Sequence, residues 1–158
     1  MNPPNLMDAV RIVKGNERIA ADFYATEAKK FTTAINVLFE QLSSFEEFHF
    51  KKLTELEASL EKNGDFIHYT GREFILPPKF ELTATPGLKS MIQVILEAMK
   101  LEKKAETAYA DLAAQIDDEQ GHQMFVMLAE EEHKHYWILE KASTSLNQTG
   151  VWKWEPGK

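Results

Sequence analysis

Along four stretches of the chain, apolar residues recur at alternating steps of four and three, the spacing of a helix face turned toward a bundle core. The first stripe is Leu6, Val10, Val13, Glu17, Ala20, Tyr24. The second is Ile35, Phe39, Leu42, Glu46, His49, Leu53, Leu56, Leu60. The third is Met91, Ile95, Ala98, Glu102, Ala105, Tyr109, and the fourth Gly121, Phe125, Leu128, Glu132, His135, Leu139, Ala142, Leu146. Stripes one and three align at an offset of 85, stripes two and four at an offset of 86. The glutamates and histidines recur with the alignment, so a helical hairpin carrying polar residues inside its core face has been used twice.

Four helices follow. The first starts after Asn5, an acceptable N-cap, and runs to about Lys29. The second runs from Thr32 or Thr33 to Lys62, where Asn63-Gly64 signals a stop. Thr85-Pro86 supplies a cap and a first-turn proline for the third, which runs to about Gln115. Asp117 caps the fourth, which ends near Leu146. Short turns make each hairpin antiparallel. Residues 63–85, with Gly64, Gly71, Pro77 and Pro78 among β-favouring residues, read as an extended crossover with room for a short strand. Extended chain covers about 3.3 Å per residue, enough to return along a bundle. The expectation is all-α: a ferritin-like four-helix bundle over 1–148, two helical hairpins joined by a long crossover, then an irregular tail over 149–158.

Composition narrows the chemistry. With 158 residues, 44% hydrophobic and 27% charged, the chain fits one globular domain. A net charge of -7 argues against a nucleic-acid partner and suits affinity for cations. The absence of cysteine excludes disulfides and thiolate-held metal. The longest apolar run, Met124 to Ala129, is six residues, so no membrane span is expected. The first residues lack a signal-peptide core, which makes a cytoplasmic location the expectation.

Buried glutamates and histidines need compensation. Residues three apart share a helix face, so Glu46 with His49, and Glu132 with His135, can each address one ion. Glu17 and Glu102 add a carboxylate from each remaining helix. Four carboxylates balance two divalent cations, and carboxylate with imidazole suits iron or manganese. The alternative is a bundle whose polar groups satisfy one another or water. Tyr24 and Tyr109 each follow a glutamate by seven residues. Helical side chains lean toward the N-terminus, so each phenol is expected to hydrogen-bond a ligand glutamate; the competing reading is a half-buried core tyrosine. Glu130 and His133 offer a rival pair, but two residues rotate the face by about 200°. The flanks of Glu132 and His135 match those of Glu46 and His49, so the rival pair is read as solvated, with Glu47 and Glu131. Glu27, His68 and His122 are read as surface residues, and Trp152 and Trp154 as packing the tail on the bundle or a partner subunit.

The segments KGNERIAADFY, MKLEKKAETAY, LSSFEEFH and LAEEEHKH together resemble the rubrerythrin branch of the ferritin-like superfamily. The resemblance covers roughly residues 6–60 and 88–146. It implies a carboxylate-bridged site for two iron ions, manganese being the other candidate. Glu17, Glu46, His49, Glu102, Glu132 and His135 would be its ligands, with one glutamate of each E-x-x-H bridging. It implies a homodimer, and an oxidoreductase acting on hydrogen peroxide or dioxygen by peroxide reduction or ferrous iron oxidation. The alternative is an iron or manganese binding or storage protein without turnover. There are two departures. Rubrerythrins that reduce peroxide usually carry a further carboxylate where this chain has Ala105. Many carry a cysteine-ligated rubredoxin domain, whereas this sequence has no cysteine, so electrons are expected from a separate donor protein.

Overall fold

The computed structural model describes residues 5–31, 34–83 and 88–154. Four helices dominate: α1 (Leu6–Ala28), α2 (Ile35–Asn63), α3 (Leu88–Gln115) and α4 (Glu119–Thr149). Two short strands, β1 (Glu81–Thr83) and β2 (Val151–Lys153), pair antiparallel with Leu82 opposite Trp152. The architecture is the expected all-α bundle of two hairpins, α1 packing on α2 and α3 on α4, with α1 also meeting α3.

Local sequence sets the helix ends. Asn5 stands at the start of α1, where its carbonyl accepts from the Ala9 amide at 2.9 Å, while its side chain makes no capping bond. The amide of Asn36 donates to the Ala28 and Phe31 carbonyls at 3.0 and 3.3 Å, tying the first hairpin's turn. Gly64 ends α2 in the left-handed region, φ 73°, where a side chain would be strained. The expected caps at Thr32, Thr33 and Thr85-Pro86 lie outside the described residues.

Two expectations at α4 are corrected. The cap is Asp118, one residue later than Asp117: its Oδ1 accepts from the Gly121 amide at 2.8 Å, three residues ahead as an N-cap requires. The helix also runs past Leu146 to Thr149. The tail read as irregular is in part β2. Trp152 stacks edge-on against Phe80, and Trp154 against Phe74, at 6.0 Å each. The pairing partner that orders this segment lies some seventy residues upstream, out of reach of a local pattern.

The stripe residues form the core, which is split in two. On one side lie Tyr24, Ile35, Phe39, Leu42, Met91, Ile95, Leu139 and Leu146 with Leu76 and Leu82 of the crossover. On the other lie Val10, Val13, Leu53, Leu56, Tyr109, Phe125 and Leu128 with Phe66 and Tyr69. The crossover therefore starts at one end of the bundle and finishes at the other. Contacts of Tyr24 with Glu102 and of Tyr109 with Glu17 show α1 and α3 antiparallel. Those of His49 with Glu132 and of His135 with Glu46 show the same for α2 and α4. Between the two apolar halves lies a polar layer.

Candidate metal centre

All six polar stripe residues meet in that layer. Glu17, Glu46, His49, Glu102, Glu132 and His135 are each no more than 2% exposed. Each comes from the middle of its helix, where the flanking apolar stripe holds it inward. They form two overlapping groups, Glu17, Glu46, His49, Glu132 and Glu46, Glu102, Glu132, His135. Within each group the candidate donor atoms lie within 4.8 Å of one another.

Glu46 and Glu132 belong to both groups, and their oxygens explain why. Glu46 turns Oε2 toward His49 Nδ1 (3.6 Å) and Oε1 toward His135 Nδ1 (3.1 Å). Glu132 places Oε1 at 2.8 Å from His49 Nδ1 and Oε2 at 3.9 Å from His135 Nδ1. Each thus offers one oxygen to each half, the disposition of a bridging carboxylate. Glu17 and Glu102 serve one half each, with Glu17 Oε2 at 3.6 Å from His49 Nδ1 and Glu102 Oε2 at 3.5 Å from His135 Nδ1.

A family model for rubrerythrin matches residues 5–147. The chain belongs to the rubrerythrin family. No curated protein and no solved structure matches it.

The donor set suits the di-iron site that membership of the rubrerythrin family implies. Among the described residues, each of the six side chains has one buried atom without a hydrogen-bond partner. These are Glu17 Oε2, Glu46 Oε2, His49 Nδ1, Glu102 Oε2, Glu132 Oε1 and His135 Nε2. The 2.8 Å approach of Glu132 to His49 lacks hydrogen-bond direction. Buried polar atoms are almost always satisfied, and a cation-binding centre is where such atoms are found together.

The tyrosines bond glutamates, but across the bundle. Tyr24 donates to Glu102 Oε1 at 2.6 Å, and Tyr109 donates to Glu17 Oε1. Seven residues along one helix span about 10.5 Å, too far for a phenol to reach its own helix's glutamate; the antiparallel neighbour presents one opposite. Burial first, then the facing carboxylate, pushes both phenols well above their ordinary range, so both stay donors.

The clustering shows in the titration of the groups. Burial, then the charge of Glu46, pushes the Glu17 carboxyl well up. Burial, then the charge of Glu102, does the same to Glu132. Burial also pushes Glu46 up, but hydrogen bonds with Glu17 and His135 outweigh it and hold its carboxyl well down. For the histidines, burial works against the charged ring and the carboxylates override it. The charge of Glu17 leads in raising His49 well up, and that of Glu102 in raising His135 to about 9.

One residue read from sequence as solvated is not. Glu131 is 8% exposed. Its Oε1 lies 3.2 Å from His49 Nε2 and accepts from the Tyr69 hydroxyl; its Oε2 accepts from the Arg72 amide at 2.7 Å. The signal was present in the repeat, because an offset of 86 places Glu131 on Phe45, which is 1% exposed. Tyr69 and Arg72 carry no helical periodicity, and nothing local marked them. Glu130, His133 and Glu47 are exposed as expected, His133 pairing with Glu106 at 3.1 Å. His68 and His122 are also at the surface.

Proposed function

We propose that this chain holds two redox-active cations, iron or manganese, between its hairpins and reduces hydrogen peroxide or dioxygen there. The observation that carries the reading is the set of six buried side chains that converge as two overlapping donor groups, five of them with an unpartnered atom facing that centre. Leaving such charges uncompensated would cost several kcal/mol per ion.

When bound, two ferrous ions would supply the two electrons that, with two protons, convert hydrogen peroxide to two waters. Glu17 and His49 would hold one cation, Glu102 and His135 the other, and Glu46 and Glu132 would serve both. Tyr24 and Tyr109 fix one oxygen of Glu102 and of Glu17, leaving Oε2 of each to the centre. A cavity of about 30 Å³ opens on the layer between α1 and α3, lined by Ala20, Ala105, Glu17, Glu46, Glu102 and Glu132. That is room for a small oxidant, since a single water needs about 10–15 Å³. The alanines make the room; a larger side chain at either position would fill it. The apolar layers on both sides exclude bulk water. With no cysteine in these 158 residues, no thiolate-held iron lies within them to relay electrons, and the reading draws electrons from a donor outside them. The reading includes a homodimer, as the family resemblance suggests, working in the cytoplasm.

Ala105 favours a second reading, iron or manganese binding without turnover, because peroxide-reducing rubrerythrins usually have a further carboxylate there. Rapid mixing separates the two. Protein loaded anaerobically with ferrous iron is mixed with hydrogen peroxide. Stoichiometric oxidation faster than that of free iron, then turnover with added reductant, supports the enzyme. Oxidation at the rate of free iron supports the binding protein.

A further inference from the structure

The two histidines share one environment on their Nδ1 side and differ on the other. Both turn Nδ1 toward the carboxylates. His49 Nε2 faces Glu131 Oε1 at 3.2 Å, whereas His135 Nε2 has no partner. The Phe45 ring lies against both, 5.1 Å from His49 and 4.3 Å from His135, and the Phe74 ring lies 5.4 Å from His135. Phe45 and Glu131 occupy the same position of the repeat, directly before the E-x-x-H glutamate. The internal symmetry is therefore broken at one residue pair, phenyl on one side and carboxylate on the other.

Glu131 is built in place. Tyr69 and the Arg72 amide, both from the crossover, donate to it. The Arg72 guanidinium is itself fixed, donating to Ser44 O and Oγ at 3.0 Å each and lying over the Phe45 ring at 5.3 Å. Gly71 has φ 78°, and a Cβ there would come 3.3 Å from Glu131 Oε2 and 3.1 Å from Met127 Cε. Glycine thus lets the crossover backbone close on the carboxylate. A carboxylate that already accepts from two donors has no hydrogen to give, so His49 supplies Nε2–H to Glu131 and keeps the Nδ1 lone pair for the centre.

A carboxylate on the far nitrogen of a ligating imidazole fixes its tautomer and raises its basicity. Resting on the two-cation reading above, we propose that Glu131 is a positioning residue that makes the two cation positions unequal. The position at His49 binds a divalent cation more tightly than the position at His135, and an iron there is the more readily oxidised of the two.

The test uses the full chain, freed of metal and titrated anaerobically with ⁵⁷Fe(II), read by calorimetry and by Mössbauer spectroscopy. Wild type is expected to bind two irons in unequal steps and to show two ferrous quadrupole doublets. In Glu131→Gln the tighter step weakens about 10–100-fold, the loss typical of removing such a partner, and only one doublet moves. Tyr69→Phe removes one donor from Glu131 while leaving the carboxylate, and the same doublet shifts by less. It decides the matter alone if the glutamine variant does not fold. A purely structural role would disturb both doublets together. Both irons changing alike, or neither changing, in a folded variant overturns the inference and leaves the two-cation reading standing. Wild type that takes up no iron overturns both.

Discussion

Tyr24 donates its hydroxyl to Glu102, a residue of the other hairpin, at 2.6 Å, and Tyr109 returns the arrangement to Glu17. Four residues thus join two copies of one hairpin through a pair of crossed bonds at the level of the polar layer. Because the phenols are fully buried, water cannot replace them.

Tyr24→Phe and Tyr109→Phe should each destabilise the fold. Each leaves one buried carboxylate oxygen without its donor, at a cost of about 1–3 kcal/mol. The ring stays, so no cavity adds to the loss. Urea unfolding of metal-free protein should show a lower midpoint with an unchanged slope. A loss under about 0.5 kcal/mol would mean the bond is not formed in solution.

The metal-free protein should lose stability as pH rises. The sign follows from four raised groups. A group whose folded value lies above its unfolded one stabilises below the unfolded value, and that contribution disappears as pH climbs through the folded value. Glu17 and Glu132 are raised by burial and neighbouring carboxylates, and His49 and His135 by the carboxylates overriding burial. For His135 the window runs from its ordinary 6.5 to about 9. Glu46 and Glu131 are lowered, and their contribution is lost only as pH falls below the ordinary carboxylate value of 4.5. Thermal melts of chelator-treated protein should therefore give a higher Tm at pH 6 than at pH 9. Cation affinity should run the opposite way, rising with pH, because uptake displaces protons.

Glu132→Gln should stabilise the metal-free protein and abolish its response to metal. The amide is neutral at every pH, whereas the carboxyl buried among Glu102, Glu46 and Glu17 escapes like-charge repulsion only by holding a proton; the amide also removes an oxygen ligand from both groups. In wild type, a hundredfold excess of Mn(II) over the dissociation constant of a position should add about 2.7 kcal/mol for each position so filled. In the variant, the same addition should leave Tm unchanged. A variant less stable than wild type without metal would show that Glu132 holds the layer together by itself.

Ala105→Leu should slow reaction with peroxide and leave cation binding intact. The cavity between α1 and α3 is about 30 Å³, too little for an isobutyl group and an oxidant together. Binding isotherms within about threefold of wild type, with oxidation slowed by tenfold or more, are the expected pair of results. Unchanged oxidation would place the entry path elsewhere.

What the sequence made legible was whatever the helical period and the repeat encode. The six inward polar residues interrupt apolar stripes, and each interruption is matched in the other hairpin, so Glu17 points to Glu102 and His49 to His135. Their convergence needs only that four stripes face one axis. The crossed tyrosines depended on the antiparallel pairing of α1 with α3, which no spacing within one helix reveals. Glu131 was legible in principle, as the counterpart of Phe45, but a glutamate among three in a row looks like a solvated face. Its burial comes from Tyr69 and Arg72 in the crossover, where no period operates. The same cause hid β2: Trp152 is ordered by Leu82, from which α3 and α4 separate it along the chain.

The most direct test of the central claim is anomalous scattering at the iron and manganese edges from crystals of metal-loaded protein. Two peaks about 3.5–4 Å apart are predicted in the polar layer. One would be bounded by Glu17, Glu46, His49 and Glu132, the other by Glu46, Glu102, Glu132 and His135. No peak there, or cations found only at surface pairs such as Glu106 and His133, would contradict it.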